Sequence, residues 1–152
     1  MEKEFLTLLE RGIYVEKEDY DKRGIVVFDD NYLDVKPKFI DYEKLLSHII
    51  DSVTKALMIS NKNKVSGTFV MFIRLNPARK NTINKRSMIN IISILSSMYK
   101  KNLYKCVFYN TNKYFRVIYG TIKPILDNSL KKKFLFMKTT ETELKHNDTQ
   151  VV

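Results

Sequence analysis

The stretch Phe108–Asp127, FYNTNKYFRVIYGTIKPILD, decides how this chain is read. Phe108 and Tyr109 close an apolar run of strand length that opens at Leu103. Asn110 and Thr111 follow, and either can cap a helix, because their side-chain oxygens accept the free N–H groups of a first turn. The spacing then predicts a helix over 112–123. Its apolar side is Tyr114 or Phe115 with Ile118, Tyr119 and Ile122, while Lys113, Arg116, Gly120 and Lys123 recur at i, i+3, i+7 and i+10 and share the other face. Pro124 has no N–H and disfavours helical backbone at Lys123, so the helix ends or kinks there.

Strand followed by helix is half of a βαβ unit, and the same alternation extends in both directions. Downstream, Phe134–Met137 reads as a further strand. Upstream, Thr68–Ile73 and Ile25–Phe28 are continuous apolar runs, the pattern of strands covered on both faces in a parallel sheet. Between them, Tyr42, Leu45, Leu46, Ile49, Ile50, Val53 and Leu57 fall at helical spacing behind a capping Asp41. Met88, Ile91, Ile92, Leu95, Met98 and Tyr99 mark another helix, over 84–99. Its opposite face (Ser87, Asn90, Ser93 and Ser97) is small and uncharged, and we expect it to be partly covered. A short helix over 2–11 and a charged stretch over 16–23 precede the first strand. The order α-β-α-β-α-β-α-β predicts an α/β fold: a mostly parallel sheet of four or more strands flanked by helices. Residues 1–138 form one domain in this reading, and 139–152 a loose polar tail.

Charge is unevenly spread. The net charge is +10, yet residues 1–60 hold nine basic and thirteen acidic residues (net −4) and residues 61–152 hold eighteen and four (net +14). Between 61 and 138 the one acidic residue is Asp127. This asymmetry favours an anionic partner.

The side chains of catalysis are sparse. Cys106, the one cysteine, lies mid-strand and reads as a buried, inert thiol. No disulfide can form within the chain, which suits a reducing, cytoplasmic setting. His48 and His146 stand in no metal-ligand spacing with it. Four glycines form no phosphate-cradling loop. Asp29-Asp30 reads as a turn, not a metal site. The chain is therefore expected to be neither an enzyme nor a holder of a cofactor or metal. Its N-terminus lacks the pattern of a signal peptide, and no apolar run reaches the ~18 residues of a membrane span.

The longer stretch SSMYKKNLYKCVFYNTNKYFRVIYGTIKPILDNSLKKKFLFM, residues 96–137, resembles the centre of the CRAL-TRIO lipid-binding domain. It shows that family's strand, Asn-containing turn, aromatic-rich helix, Lys123-Pro124-Ile125-Leu126-Asp127 helix exit, basic turn and final strand. KRGIVVFDD (22–30) and GTFVMFIRL (67–75) are similar to the family's first two core strands. Tyr99-Lys100-Lys101 stands where lipid-transfer members carry Tyr-Pro-Glu, which resembles the divergent branch found beside Rho GTPase-activating domains. Residues after Met137 do not resemble the gate helix and Leu-Gly-Gly segment that close the lipid pocket. The resemblance thus implies a shallow, open or side-chain-filled pocket.

Together these readings imply a non-enzymatic module that binds an anionic phospholipid surface or an acidic protein partner. The contact residues are Lys113, Arg116, Lys123, Lys131, Lys132 and Lys133. A structural role in a large assembly such as a virion is the alternative. Nucleic-acid or ribosome binding, suggested by Tyr99, Tyr104, Tyr109 and Tyr114 among basic residues, is a further one. The setting implied is the cytoplasm, at a membrane periphery or within a virion.

Overall fold

The computed structural model describes residues 2–18, 22–30, 41–65, 67–75, 85–111 and 113–138. The chain runs through α1 (Glu2–Gly12), β1 (Ile13–Glu18), β2 (Gly24–Asp29), α2 (Tyr42–Lys62), β3 (Phe69–Arg74), α3 (Lys85–Met98), β4 (Leu103–Tyr109), α4 (Lys113–Ile122), a 3-10 turn (Lys123–Ile125), α5 (Asn128–Lys131) and β5 (Phe134–Phe136). The strands form one sheet in the order β1-β2-β3-β4-β5. β1 is antiparallel to β2, and every other pairing is parallel. The expected α/β class with a mostly parallel sheet is what the structure has.

Neighbours in the sheet are also neighbours in the chain. Right-handed crossovers in a sheet that always grows in one direction place every connecting helix on the same face. The packing agrees. Leu9 of α1, Leu45, Ile49, Val53 and Ala56 of α2, Ile91, Ile92 and Leu95 of α3, and Phe115 and Ile122 of α4 join one core. Val26, Phe28, Phe69, Met71, Ile73, Cys106, Phe108 and Phe134 meet them from the sheet. The opposite sheet face carries Ile25, Val27 and Val70, with Val107, Tyr109 and Met137, and Phe72 packs against both groups. The unbroken apolar strands therefore bury both faces, but the described helices contribute to one.

β1 was not foreseen; its second half, Glu16–Glu18, was assigned to the charged stretch. Ile13 and Val15 face the helical core while Tyr14 and Glu16 take the other side, and alternation this short is masked by Glu16-Lys17-Glu18. Charged residues suit a sheet edge, where they discourage pairing with another chain. α5 was also unforeseen; it is one turn, capped by Asp127 accepting from Ser129 N at 2.8 Å.

Local chemistry sets the remaining boundaries. Asp41 caps α2, its Oδ1 accepting from Lys44 N at 3.1 Å. α4 ends at Ile122, and Pro124 lies in the 3-10 turn that follows. Asn110 and Thr111 depart from their expected capping role. Asn110 takes a left-handed backbone (φ 63°), and its Nδ2 donates to Leu75 O at 3.2 Å. Thr111 Oγ1 donates to Met137 O at 3.1 Å. Both side chains are instead spent on carbonyls at the ends of the neighbouring strands. The expected polar tail, 139–152, lies outside the described residues.

Candidate functional site

α4 lies over β4 and β5 with its aromatic side inward. Phe108 of β4 packs on Phe115 (ring centroids 5.0 Å apart), Phe134 (5.4 Å) and Phe136 (5.3 Å). Tyr119 completes the block at 4.8 Å from Phe136. This explains the aromatic order of the opening stretch: one ring on the strand and two a helical turn apart on α4 meet two alternate rings of β5. Such pairs add roughly 0.5–1.5 kcal/mol each beyond the area they bury.

The other side of α4 is basic. Lys113, Arg116 and Lys123 are all exposed, as their spacing predicts. Val117, beside them, is 69% exposed, an apolar side chain within a cationic face. Where the two sides meet lies a groove of about 400 Å³, lined by Thr111, Phe115, Arg116, Tyr119, Gly120, Lys123 and Phe136. Its floor is aromatic and two of its rim residues are cations. Gly120 leaves it open: a Cβ there would meet nothing within 4 Å. The sequence showed the cations but not the groove. Its signals were a glycine inside a helix and the Phe134/Phe136 alternation on a strand paired on one side.

Lys131, Lys132 and Lys133 lie apart from that face, at the turn between α5 and β5. Lys132 is exposed and the other two are half-buried. Lys133 Nζ donates to Lys100 O at 2.5 Å, and Lys100 Nζ lies 2.9 Å from Asp127 Oδ2. Hydrogen bonds from Lys100 and Ser129 hold the Asp127 carboxyl below the usual carboxylate range. Asp127 thus ties the turn to the loop before β4. Arg116 and Lys123 line one groove, Lys113 is exposed at the start of α4, and the triple lysine lies at the turn before β5.

Of the four tyrosines raised for nucleic acid, Tyr99 and Tyr109 are buried. Tyr104 is exposed, with Arg23 stacked 3.7 Å above its ring. The side chain of Tyr114 is outside the described set. Cys106 is fully buried, and burial pushes its thiol far above the ordinary value. His48 Nε2 lies 2.6 Å from Ile13 O and joins α2 to β1; His146 is outside the described residues. Asp29 and Asp30 are buried at the end of β2, and no three metal-ligating side chains cluster among the described residues.

The second sheet face has its own polar edge. Arg74 donates to Tyr14 OH and, at 3.1 Å, to Glu16 Oε1, spanning from β3 to β1 across β2. Burial raises the Tyr14 phenol above its ordinary value, although Arg74 opposes the shift. Beside this edge lies the apolar field of Ile25, Val27, Val70 and Phe72.

A family model for the CRAL/TRIO domain matches residues 10–148, nearly the whole chain. The chain belongs to the CRAL-TRIO family. This is a family of lipid-binding domains. The crystal structure of Sfh5 matches this CRAL-TRIO chain with a TM-score of 0.72 at 18% identity, over 87% of this chain and 50% of that one. The likeness is one of fold, and this chain spans half the length of Sfh5's. No curated protein sequence matches it. No described helix of this CRAL-TRIO domain is long and apolar enough to cross a membrane.

Proposed function

We propose that this CRAL-TRIO domain is a non-catalytic module that docks on an anionic membrane surface through the basic face of α4. The observation that carries this is that Lys113 and Arg116 of α4 and Lys123 of the turn after it are all exposed. Near a charged bilayer each such cation contributes ~1 kcal/mol. The exposed Val117 suits an interface where an apolar side chain enters the headgroup layer. The triple lysine extends the positive surface beyond the helix exit. No sealed lipid pocket is part of this proposal.

Sedimentation with vesicles of phosphatidylcholine, with and without phosphatidylserine, tests it. Binding should require the anionic lipid and weaken with salt, because exposed charges are screened over ~10 Å at 0.1 M. Reversing Lys113, Arg116 and Lys123 to Glu should abolish binding while leaving folding stability within about ±0.5 kcal/mol. Unchanged binding by the folded variant would overturn the proposal.

A second reading, a scaffold role, draws on α3. Ser93 and Ser97 are exposed there beside Met98, which is 46% exposed. A groove of about 250 Å³ runs from these serines to Ile122 and Leu126.

A further inference from the structure

β2, β3, β4 and β5 run parallel, so their starts meet at one end of the sheet. Ile25, Val70 and Lys105 stand at one level there. The segments that lead into β3, β4 and β5 each bring cations to this end: Lys62 and Lys64, Lys101, and Lys132. All four are exposed, and among the described residues none is paired with a carboxylate. Asp127 is taken by Lys100, and Glu18 lies opposite Gly24 on the β1 side.

The approaches to these strands are stapled to one another. Asn63 Nδ2 donates to Lys22 O at 3.1 Å, joining those of β3 and β2. Asn102 Nδ2 donates to Gly67 O at 2.9 Å, joining those of β4 and β3. Lys133 Nζ donates to Lys100 O, joining those of β5 and β4. This frame uses two asparagines and Lys133 and leaves the four exposed lysines. Lys64 moreover stands at φ 65°, a left-handed backbone that glycine adopts with less strain. An aromatic ring joins the array. Tyr104, near the start of β4, is 44% exposed. Arg23 lies 3.7 Å above one face of its ring and donates from Nε to Thr68 Oγ1 at 2.9 Å.

Adjacent strands are about 4.8 Å apart, so the approaches to three strands form a short line, not a broad face. A bilayer engages a face. A chain of phosphates engages a line, and an exposed ring beside it receives a base. We propose that this end of the sheet binds single-stranded nucleic acid, with Lys62, Lys64, Lys101 and Lys132 on its phosphates and a base stacked on Tyr104. The contact shares only Lys132 with the membrane reading and does not depend on it.

Fluorescence anisotropy with a labelled oligothymidylate across a salt series tests it. Four phosphate contacts predict that log K falls with log salt at a slope of about −3. Lys62→Glu/Lys64→Glu/Lys101→Glu should weaken binding about tenfold or more and flatten the slope by about 2. Lys64→Gly should hold or raise the unfolding midpoint and still weaken binding, because it relieves the backbone and removes only the charge. Tyr104→Ala should weaken oligothymidylate binding about fivefold and leave binding of heparin, a polyanion without bases, unchanged. Lys113→Glu/Arg116→Glu, on α4, should change oligothymidylate binding little. No binding by the parent, or binding indifferent to Lys64→Gly and the triple reversal, overturns the proposal. An equal loss in the α4 variant would make the attraction one of net charge alone and also overturns it. Equal loss of heparin binding in Tyr104→Ala overturns the stacked base. If the triple reversal loses binding to phosphatidylserine vesicles but not to oligothymidylate, the sheet end is a membrane contact and the proposal fails. Oligothymidylate binding by a protein that binds no vesicles upholds it and removes the membrane reading.

Discussion

At Gly24 the chain has no space for a side chain; at Gly120 it has more than a side chain needs. A Cβ on Gly24 would lie 2.1 Å from Ala56 O, inside the backbone of α2. A Cβ on Gly120 would meet nothing within 4 Å. The same residue type sets a packing distance in one place and leaves a groove in the other. Around Gly24 the fold is closed: Gly24 N donates to Ser60 Oγ at 2.9 Å, and Ser60 Oγ donates on to Ala56 O at 3.2 Å. Around Gly120 the fold is open and edged with cations. Charge follows the same division, net −4 over residues 1–60 and net +14 beyond. One end of the sheet is built for cohesion, the other for contact.

Gly24→Ala should have the largest effect. Backbone blocks the added methyl on the helix side, so α2 and β2 must separate, at a cost of about 3 kcal/mol. Denaturant unfolding measures this; a loss below about 1 kcal/mol would mean that α2 can shift freely and that the closed end is not closed.

Ser60→Ala comes next. It leaves the buried Gly24 N–H without its acceptor, which should cost about 1–3 kcal/mol. The same unfolding experiment reads it. Additivity with Gly24→Ala is not expected, since the two share one contact.

Gly120→Ala should act in the opposite direction. Alanine is favoured over glycine in a helix by about 0.5–1 kcal/mol, and no clash offsets the gain. For a domain of this size that raises the melting temperature by about 1–4 °C. A drop on calorimetry would show that the groove is tighter than its geometry.

Asp127 should give the smallest effect, and it depends on pH. Its carboxyl is held below the ordinary value in the folded state. Its contribution is therefore complete above the unfolded value of about 3.9 and fades as pH falls through the lower, folded one. Asp127→Asn should lower the melting temperature slightly at about pH 6 and converge with the parent in strong acid. An equal difference at both pH values would mean that the charge on Asp127 is irrelevant.

Much of this was legible from local order alone. Ile25–Phe28, Thr68–Ile73 and Leu103–Tyr109 were recognisable as strands because each is a short, largely apolar run, and α2 because Tyr42 to Leu57 repeats at helical spacing behind Asp41. Lys113, Arg116 and Lys123 were legible as one face because helical geometry is periodic and needs no partner. β1 was not legible, since only Ile13 and Val15 point inward and three charged residues follow. Lys131–Lys133 read as a basic turn before the last strand, where they lie, but the Lys133-to-Lys100 and Lys100-to-Asp127 bonds that tie that turn to the loop before β4 were not legible.

By itself the sequence determined the elements other than β1 and α5, the family resemblance and the basic residues of α4, because periodicity and capping are properties of neighbours along the chain. Only the tertiary structure decided that the described helices share one sheet face, that Gly24 touches the backbone of α2, and that Gly120 opens a groove between Phe115, Tyr119 and Phe136. These follow from which strand lies beside which and from the volumes of side chains far apart in sequence. A glycine in a one-dimensional string does not show whether it sits against a backbone or against empty space.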